Sequence, residues 1–158
     1  MNHPVTQSGK ATQTRPLLLV VEDNPDQWLL IHSALTQGFP EVEPIWVNLP
    51  AQALSYLESC LTPGAQVPIL VLLDLYLPRR EDGWNLLDAI KRHPRLHLLP
   101  IVVMSESEEQ GDINQSYAKG IAAYQVKPSA NKPWLTFVHS FRTYWWQTVR
   151  LLPSRPRF

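Results

Sequence analysis

The chain has 158 residues, 44% hydrophobic and 18% charged, with 14 basic side chains against 14 acidic ones. That is the length and composition of one globular domain, able to bury roughly two thirds of its unfolded surface, with no room for a second folded domain. A formal net charge of zero gives no footing for nucleic acid or an anionic membrane as partner, and no apolar run approaches the ~20 residues that span a bilayer.

A single cysteine, Cys60, cannot form an intrachain disulfide and reads as a small buried thiol, which fits a reducing cytoplasm. Met1 to Pro16 hold Asn, Gln, Thr, Ser and Pro without an apolar run, so they lack the centre of a signal peptide and read as a disordered tail. Leu17 to Val21 is a short, wholly apolar run ending in Glu22-Asp23-Asn24-Pro25, a buried strand with carboxylates at its tip. From Asp26 the spacing turns helical, with Trp28, Leu29, Ile31, His32 and Leu35 as the inward face and Gly38 as the stop. Val42 to Val47 is a weaker strand that Pro44 places near an edge. Pro50 opens a helix to about Ser59 on a stripe of Ala53, Leu54 and Leu57.

Ile69 to Leu73 is apolar on both faces and runs straight into Asp74, the pattern of a central parallel strand under helices on each side. Such a strand cannot keep a charge in its interior, so Asp74 sits at its C-terminal tip. Asp82-Gly83 then makes a turn, and Trp84, Leu86, Leu87 and Ile90 line a helix that Pro94 ends. Ile101 to Met104 is another buried strand with Ser105 at its tip, and Glu106 to Asp112 is a polar loop into a helix from about Ile113 to Lys119. Ala122 to Val126 is the last strand, followed by Lys127-Pro128, a bond that is cis or trans on this reading. A final helix runs from about Lys132 to Leu151.

Five strands alternating with helices predict an α/β fold: a single five-stranded parallel sheet, doubly wound by right-handed crossovers. All strand C-termini then lie on one edge, which brings Glu22, Asp23, Asp74, Ser105 and Lys127 together. Singly, Asp74 serves equally as a cap, while Ser105 reads first as a strand-end cap and Lys127 as a solvated charge; five such residues at strand tips make a site. Three carboxylates repel by about 4 kcal/mol per pair at 4 Å and an effective dielectric near 20, and so call for a cation. All-oxygen ligation suits Mg²⁺, which would leave one Asp74 oxygen free as a nucleophile toward a phosphoryl group. Lys127 and Ser105 supply the donors that the acids cannot.

These residues resemble the receiver domain of two-component response regulators over about residues 16 to 140. The matching motifs are Val21-Glu22-Asp23-Asn24, Leu73-Asp74-Leu75-Tyr76-Leu77-Pro78, Met104-Ser105 and Lys127-Pro128. The resemblance implies a flavodoxin-like sheet of strand order 2-1-3-4-5 and phosphorylation of Asp74 by a sensor histidine kinase. It also implies Mg²⁺ held by Asp23, Asp74, the Tyr76 carbonyl and, through water, Glu22. Ser105 would move toward the phosphoryl group while Tyr124 swings inward behind it; the alternative for Tyr124 is a static ring with a wet hydroxyl. Glu106 departs from the family, which has a small residue there, and a carboxylate at that position bears on the phosphorylation rate. The charged loop Leu77 to Gly83 is slightly long and reads as solvated.

Beyond Lys127 a DNA-binding module would need about sixty further residues. Instead Trp134, Phe137, Val138, Phe141, Trp145, Val149 and Leu152 recur at helical spacing, one long helix whose stripe outruns the sheet. With Trp146 beside it, that surface (Trp134, Phe141, Trp145, Trp146) suggests a homodimer or a docked protein partner. The aromatic end before Leu151-Leu152-Pro153 resembles stand-alone regulators paired with cyanobacterial phytochrome kinases. The divisions expected are a tail over 1–15, a receiver over 16–140 and a helical extension over 141–158. The reading is a cytoplasmic phosphorelay protein, not an enzyme, that acts through protein contacts on a downstream partner. Its competitors are a phosphorylation-independent binding module and a phosphatase of haloacid dehalogenase type; the latter requires an acid where Tyr76 stands.

Overall fold

The computed structural model describes residues 14–129 and 133–153; the tail expected over 1–15 lies outside them except for its last two residues. Five parallel strands, β1 (Leu17–Val21), β2 (Glu43–Val47), β3 (Leu70–Asp74), β4 (Ile101–Ser105) and β5 (Ala123–Val126), form one sheet in the order β2-β1-β3-β4-β5. The helices are α1 (Pro25–Gly38), α2 (Pro50–Ser59), α3 (Arg80–Arg92), α4 (Gln110–Ala118) and α5 (Trp134–Arg142), and α5 continues into a π-helical segment, Thr143–Thr148.

The alternation of side chains along each strand splits the core in two. Leu19, Val21, Val71, Leu73, Ile101 and Val103 face Ala53, Leu57, Leu86, Leu87 and Ile90 of α2 and α3. Leu18, Val20, Leu70, Leu72, Val102 and Met104 face Ile31, Ala34 and Leu35 of α1 and Val138 and Phe141 of α5. With apolar residues needed on both sides, the three central strands read as unbroken hydrophobic runs. Pro44, as expected, lies in an edge strand, where a missing N–H costs least.

Several local expectations are corrected. The buried face of α1 is Ile31, Ala34, Leu35 and Gly38; Leu29 is 63% exposed and His32 also points outward. Asp82-Gly83 is no turn but lies inside α3, where a Cβ on Gly83 would stand 2.0 Å from the Leu75 carbonyl oxygen. Glycine is there for close approach of two backbones. The helix after β4 starts at Gln110, earlier than expected, and carries Asp112 inward. Leu77-Pro78 is the cis bond among the described residues, and Lys127-Pro128 is trans.

The last helix is not one long α-helix. Its α-helical part ends at Arg142, the π segment follows, and Val149 is already extended. The stripe also fails to outrun the core: Phe141 and Trp145 are buried in the cluster against α1 and the sheet, so neither offers a surface to a partner. Phe141 packs between Phe39 and Phe137, and Trp145 leans on Phe141 and Tyr144. Trp134 is half-buried, while Trp146 and Tyr144 are 37% and 48% exposed. Lys132, the expected start of this helix, is outside the described residues.

α4 is anchored differently from the other helices. Its two fully buried residues are Asp112 and Ser116, and Ile113 is its one partly buried aliphatic. Ser116 Oγ accepts from Trp84 Nε1 at 3.2 Å and donates to the Asp112 carbonyl at 2.7 Å, which ties α4 to α3.

Candidate functional site

At the tip of β1 the chain leaves the sheet at Val21, and Asn24 caps α1 by accepting from Asp26 N–H at 2.9 Å and Gln27 N–H at 3.3 Å. This capped turn, with Pro25 in the first helical turn, fixes Glu22 and Asp23 above the sheet. Glu22 is buried, its Oε1 accepting from the Asn24 N–H at 3.1 Å and its backbone carbonyl from Trp46 Nε1 at 2.8 Å. Asp23 is half-buried. Asp74, as expected, ends β3, the central strand, and is 5% exposed.

Glu22, Asp23 and Asp74 each offer an oxygen, and these oxygens lie within 4.8 Å of one another. Lys127 reaches them from the tip of β5, its Nζ donating to Glu22 Oε2 at 3.0 Å and Asp74 Oδ2 at 3.1 Å. Its backbone N–H donates to the Ser105 carbonyl at 2.7 Å, so β4 holds the base of the lysine in place. The acids and the lysine line a cavity of about 530 Å³ with Asn24, Gln27, Tyr76 and the loop Glu106 to Glu109.

The electrostatics follow from three acids facing one base. Burial pushes the Asp74 carboxyl up, the Lys127 charge pulls it down, Glu22 pushes it up again, and the balance lies at about 7. Burial opposes the charge on Lys127, but Asp74 and Glu22 outweigh it and hold the amine above the ordinary lysine range. A site in which one carboxyl resists ionisation and three hard oxygens converge fits a divalent cation that prefers oxygen, Mg²⁺ above softer metals. Such an ion would be held by Glu22, Asp23 and Asp74.

Ser105 and Tyr124 stand one layer back. Ser105 is fully buried, does not line the cavity, and accepts from the Ser107 N–H at 3.1 Å. Tyr124 is half-buried and donates its hydroxyl to the Ser107 carbonyl at 2.9 Å. Tyr76 lines the cavity, its N–H donating to Asp74 Oδ1 at 3.3 Å.

Sequence reasoning missed three participants. Gln27, in the first turn of α1, accepts from Lys127 Nζ with its Oε1 and donates from Nε2 to Glu106 Oε1 at 3.0 Å. Asp112, placed in a loop by its polar neighbours, is buried and accepts from Tyr76 Oη at 2.8 Å, Ser107 Oγ at 2.6 Å and Arg80 at 3.1 Å. Burial pushes the Asp112 carboxyl up, yet these donors overcome it and hold the group below the usual range. Arg80, in the loop read as solvated, is thus half of a partly buried ion pair and also lies over the Trp84 ring. The only signal for Gln27 was its place three residues past a capping Asn beside the acidic tip; nothing local marked Asp112.

Comparison with known proteins agrees with this geometry. The family model for the response regulator receiver domain matches residues 18–138. The chain is 34% identical over 131 residues to the probable methanogenesis regulatory protein FilR2 of Methanothrix harundinacea, covering 82% of this chain and 83% of that protein. It is 29% identical over 136 residues to response regulator Rcp1 of Synechocystis sp., covering 85% and 92%. A crystal structure of the Mn²⁺-bound form of Rcp1 superposes with a TM-score of 0.74 at 28% identity, covering 87% of this chain and 99% of that one. The phosphorylated cyanobacterial phytochrome response regulator RcpA does so with a TM-score of 0.76 at 32% identity, again over 87% and 99%. A receiver match over most of the length, on a sheet whose strand tips gather three acids and a lysine, makes this chain a member of the response regulator receiver-domain family of two-component signalling proteins.

Proposed function

We propose that Asp74 accepts a phosphoryl group from the phosphohistidine of a sensor histidine kinase of phytochrome type. The observation that carries the reading is Lys127, bonded to Asp74 and Glu22 inside a ring of three acids whose oxygens are within 4.8 Å. Asp74 Oδ attacks phosphorus, the phosphorus–nitrogen bond breaks, and the imidazole nitrogen keeps the electron pair. Lys127 donates to an equatorial phosphoryl oxygen. Asp23, Asp74, the Tyr76 carbonyl and, through water, Glu22 would hold Mg²⁺, which when bound would offset the charge of three acids and of the incoming group.

The added charge and its acceptor oxygens draw the Ser105 hydroxyl toward the site and take the loop with it. Tyr124, bonded to that loop at Ser107, follows, and the change appears on α4, β5 and α5. The output is contact with a downstream protein rather than turnover of a substrate, so the chain is a signalling protein and not an enzyme. It works in the cytoplasm as a homodimer without binding nucleic acid or membrane, and the dimer face includes Trp134 and Trp146 beside Tyr144. The relatives named for phytochrome support the kinase type. No helix among the described residues is long and apolar enough to cross a membrane.

The test is intact-mass measurement after incubation with acetyl phosphate and Mg²⁺. One phosphoryl group should add to the wild type and none to Asp74→Asn. An unmodified wild type, or equal modification of the variant, would replace this reading with a phosphorylation-independent binding module. Sedimentation velocity with and without beryllofluoride tests the dimer: a monomer in both states refutes it.

A further inference from the structure

Lys127 has three ammonium protons, and all three are committed: to Glu22, to Asp74 and to the side-chain oxygen of Gln27. A phosphoryl oxygen can be bound by that amine only if one acceptor leaves. The two carboxylates are charge-assisted partners inside the pocket, whereas Gln27 is neutral and half-buried at its mouth. Gln27 is therefore the partner given up most easily.

The other end of the same amide donates to Glu106 at 3.0 Å. Glu106 follows Ser105 directly and opens the loop whose next residue, Ser107, bonds to Ser105, Asp112 and Tyr124. The carboxamide is oriented by opposite charges at its two ends, oxygen toward Lys127 and nitrogen toward Glu106. It thus spans the mouth of the cavity from α1 to the loop after β4.

We propose that Gln27 is a positioning residue that occupies the third donor of Lys127 in place of a phosphoryl oxygen and clasps the loop after β4 through Glu106, so that entry of the phosphoryl group and release of that loop are one exchange. The proposal rests on phosphoryl transfer to Asp74. It assigns Glu106, where the family carries a small residue, the role of tether.

The test uses the full chain with Mg²⁺ and titrates beryllofluoride as the probe, followed by tryptophan fluorescence, since Trp28 stacks on Trp46 beside Gln27. Gln27→Ala should bind about tenfold more tightly than wild type, the scale of one charge-assisted hydrogen bond no longer displaced. Gln27→Glu should bind more weakly, because a carboxylate holds Lys127 harder. Glu106→Ala should tighten binding severalfold, and the Gln27→Ala/Glu106→Ala double variant should be no tighter than Gln27→Ala alone. Amide exchange at residues 106–109 of the unliganded protein should quicken in both single variants. Additive effects, or Gln27→Ala binding no tighter than wild type, overturn the clasp. A wild type that neither binds beryllofluoride nor takes a phosphoryl group on Asp74 overturns the underlying reading instead.

Discussion

In the cation-free protein an ionised Asp74 opposes folding, and its surroundings set by how much. The carboxyl titrates at about 7 in the native state, against ~3.9 in an unfolded chain. The native state therefore keeps the proton to higher pH than the unfolded state does. The stability gained from the neutral form is complete below about pH 4, is lost as pH rises to about 7, and changes no further above it. A separation of about three pH units is worth on the order of 4 kcal/mol. Asp74→Asn removes the charge while keeping an acceptor for Lys127 and for the Tyr76 N–H. In urea unfolding with a chelator at pH 8 the variant should be more stable by a few kcal/mol, a midpoint shift of about 2 M for a slope near 2 kcal/mol/M. The advantage should shrink toward zero by about pH 4, and Mg²⁺ should stabilise the wild type more than the variant. A wild-type-to-variant difference that stays constant between pH 4 and 8 refutes the account.

Other substitutions check the packing. Gly83→Ala sets a methyl against the Leu75 carbonyl at 2.0 Å and should cost about 3 kcal/mol or more, read as a lowered thermal midpoint. Asp112→Ala leaves Tyr76 and Ser107 without their buried acceptor and Arg80 without its partner. It should cost about 3 kcal/mol and speed amide exchange over residues 107–116, whereas Asp112→Asn should cost less. Trp145→Ala should behave as a core deletion, destabilising by about 3–5 kcal/mol in chemical unfolding. A stability within about 0.5 kcal/mol of wild type would instead mark Trp145 as a surface residue.

The parts of this molecule legible in its sequence are those that one-dimensional spacing encodes. Leu17 to Val21, Ile69 to Asp74 and Ile101 to Ser105 are apolar on both faces, and that alone places them mid-sheet with their polar ends on one edge. The acids and the lysine follow from topology, since parallel strands bring their tips together. What spacing could not show depends on the third dimension. Asp-Gly at 82–83 has the composition of a turn, yet it lies inside α3, and the glycine is there because the Leu75 backbone leaves no room for a side chain. Phe141 and Trp145 carry the stripe expected of a docking face, but α1 and the sheet already cover them. Asp112 sits among polar residues, and only the arrival of Tyr76 and Arg80 from the stretch running from β3 into α3, with Ser107 from the loop before α4, makes its burial tolerable. Gln27 gives no local sign that Lys127, a hundred positions away, reaches it.

The inward side of α4 has a thermodynamic corollary. Leu57 and Ile90 hold their helices by shedding water from hydrocarbon, and undocking either would wet that hydrocarbon again. α4 is fastened mainly through Asp112 and Ser116, so its departure wets little grease. Its release should therefore carry a smaller heat-capacity change than release of α2 or α3 and offer other chains less to aggregate on. A helix that can come loose and return so cleanly suits repeated reversible use.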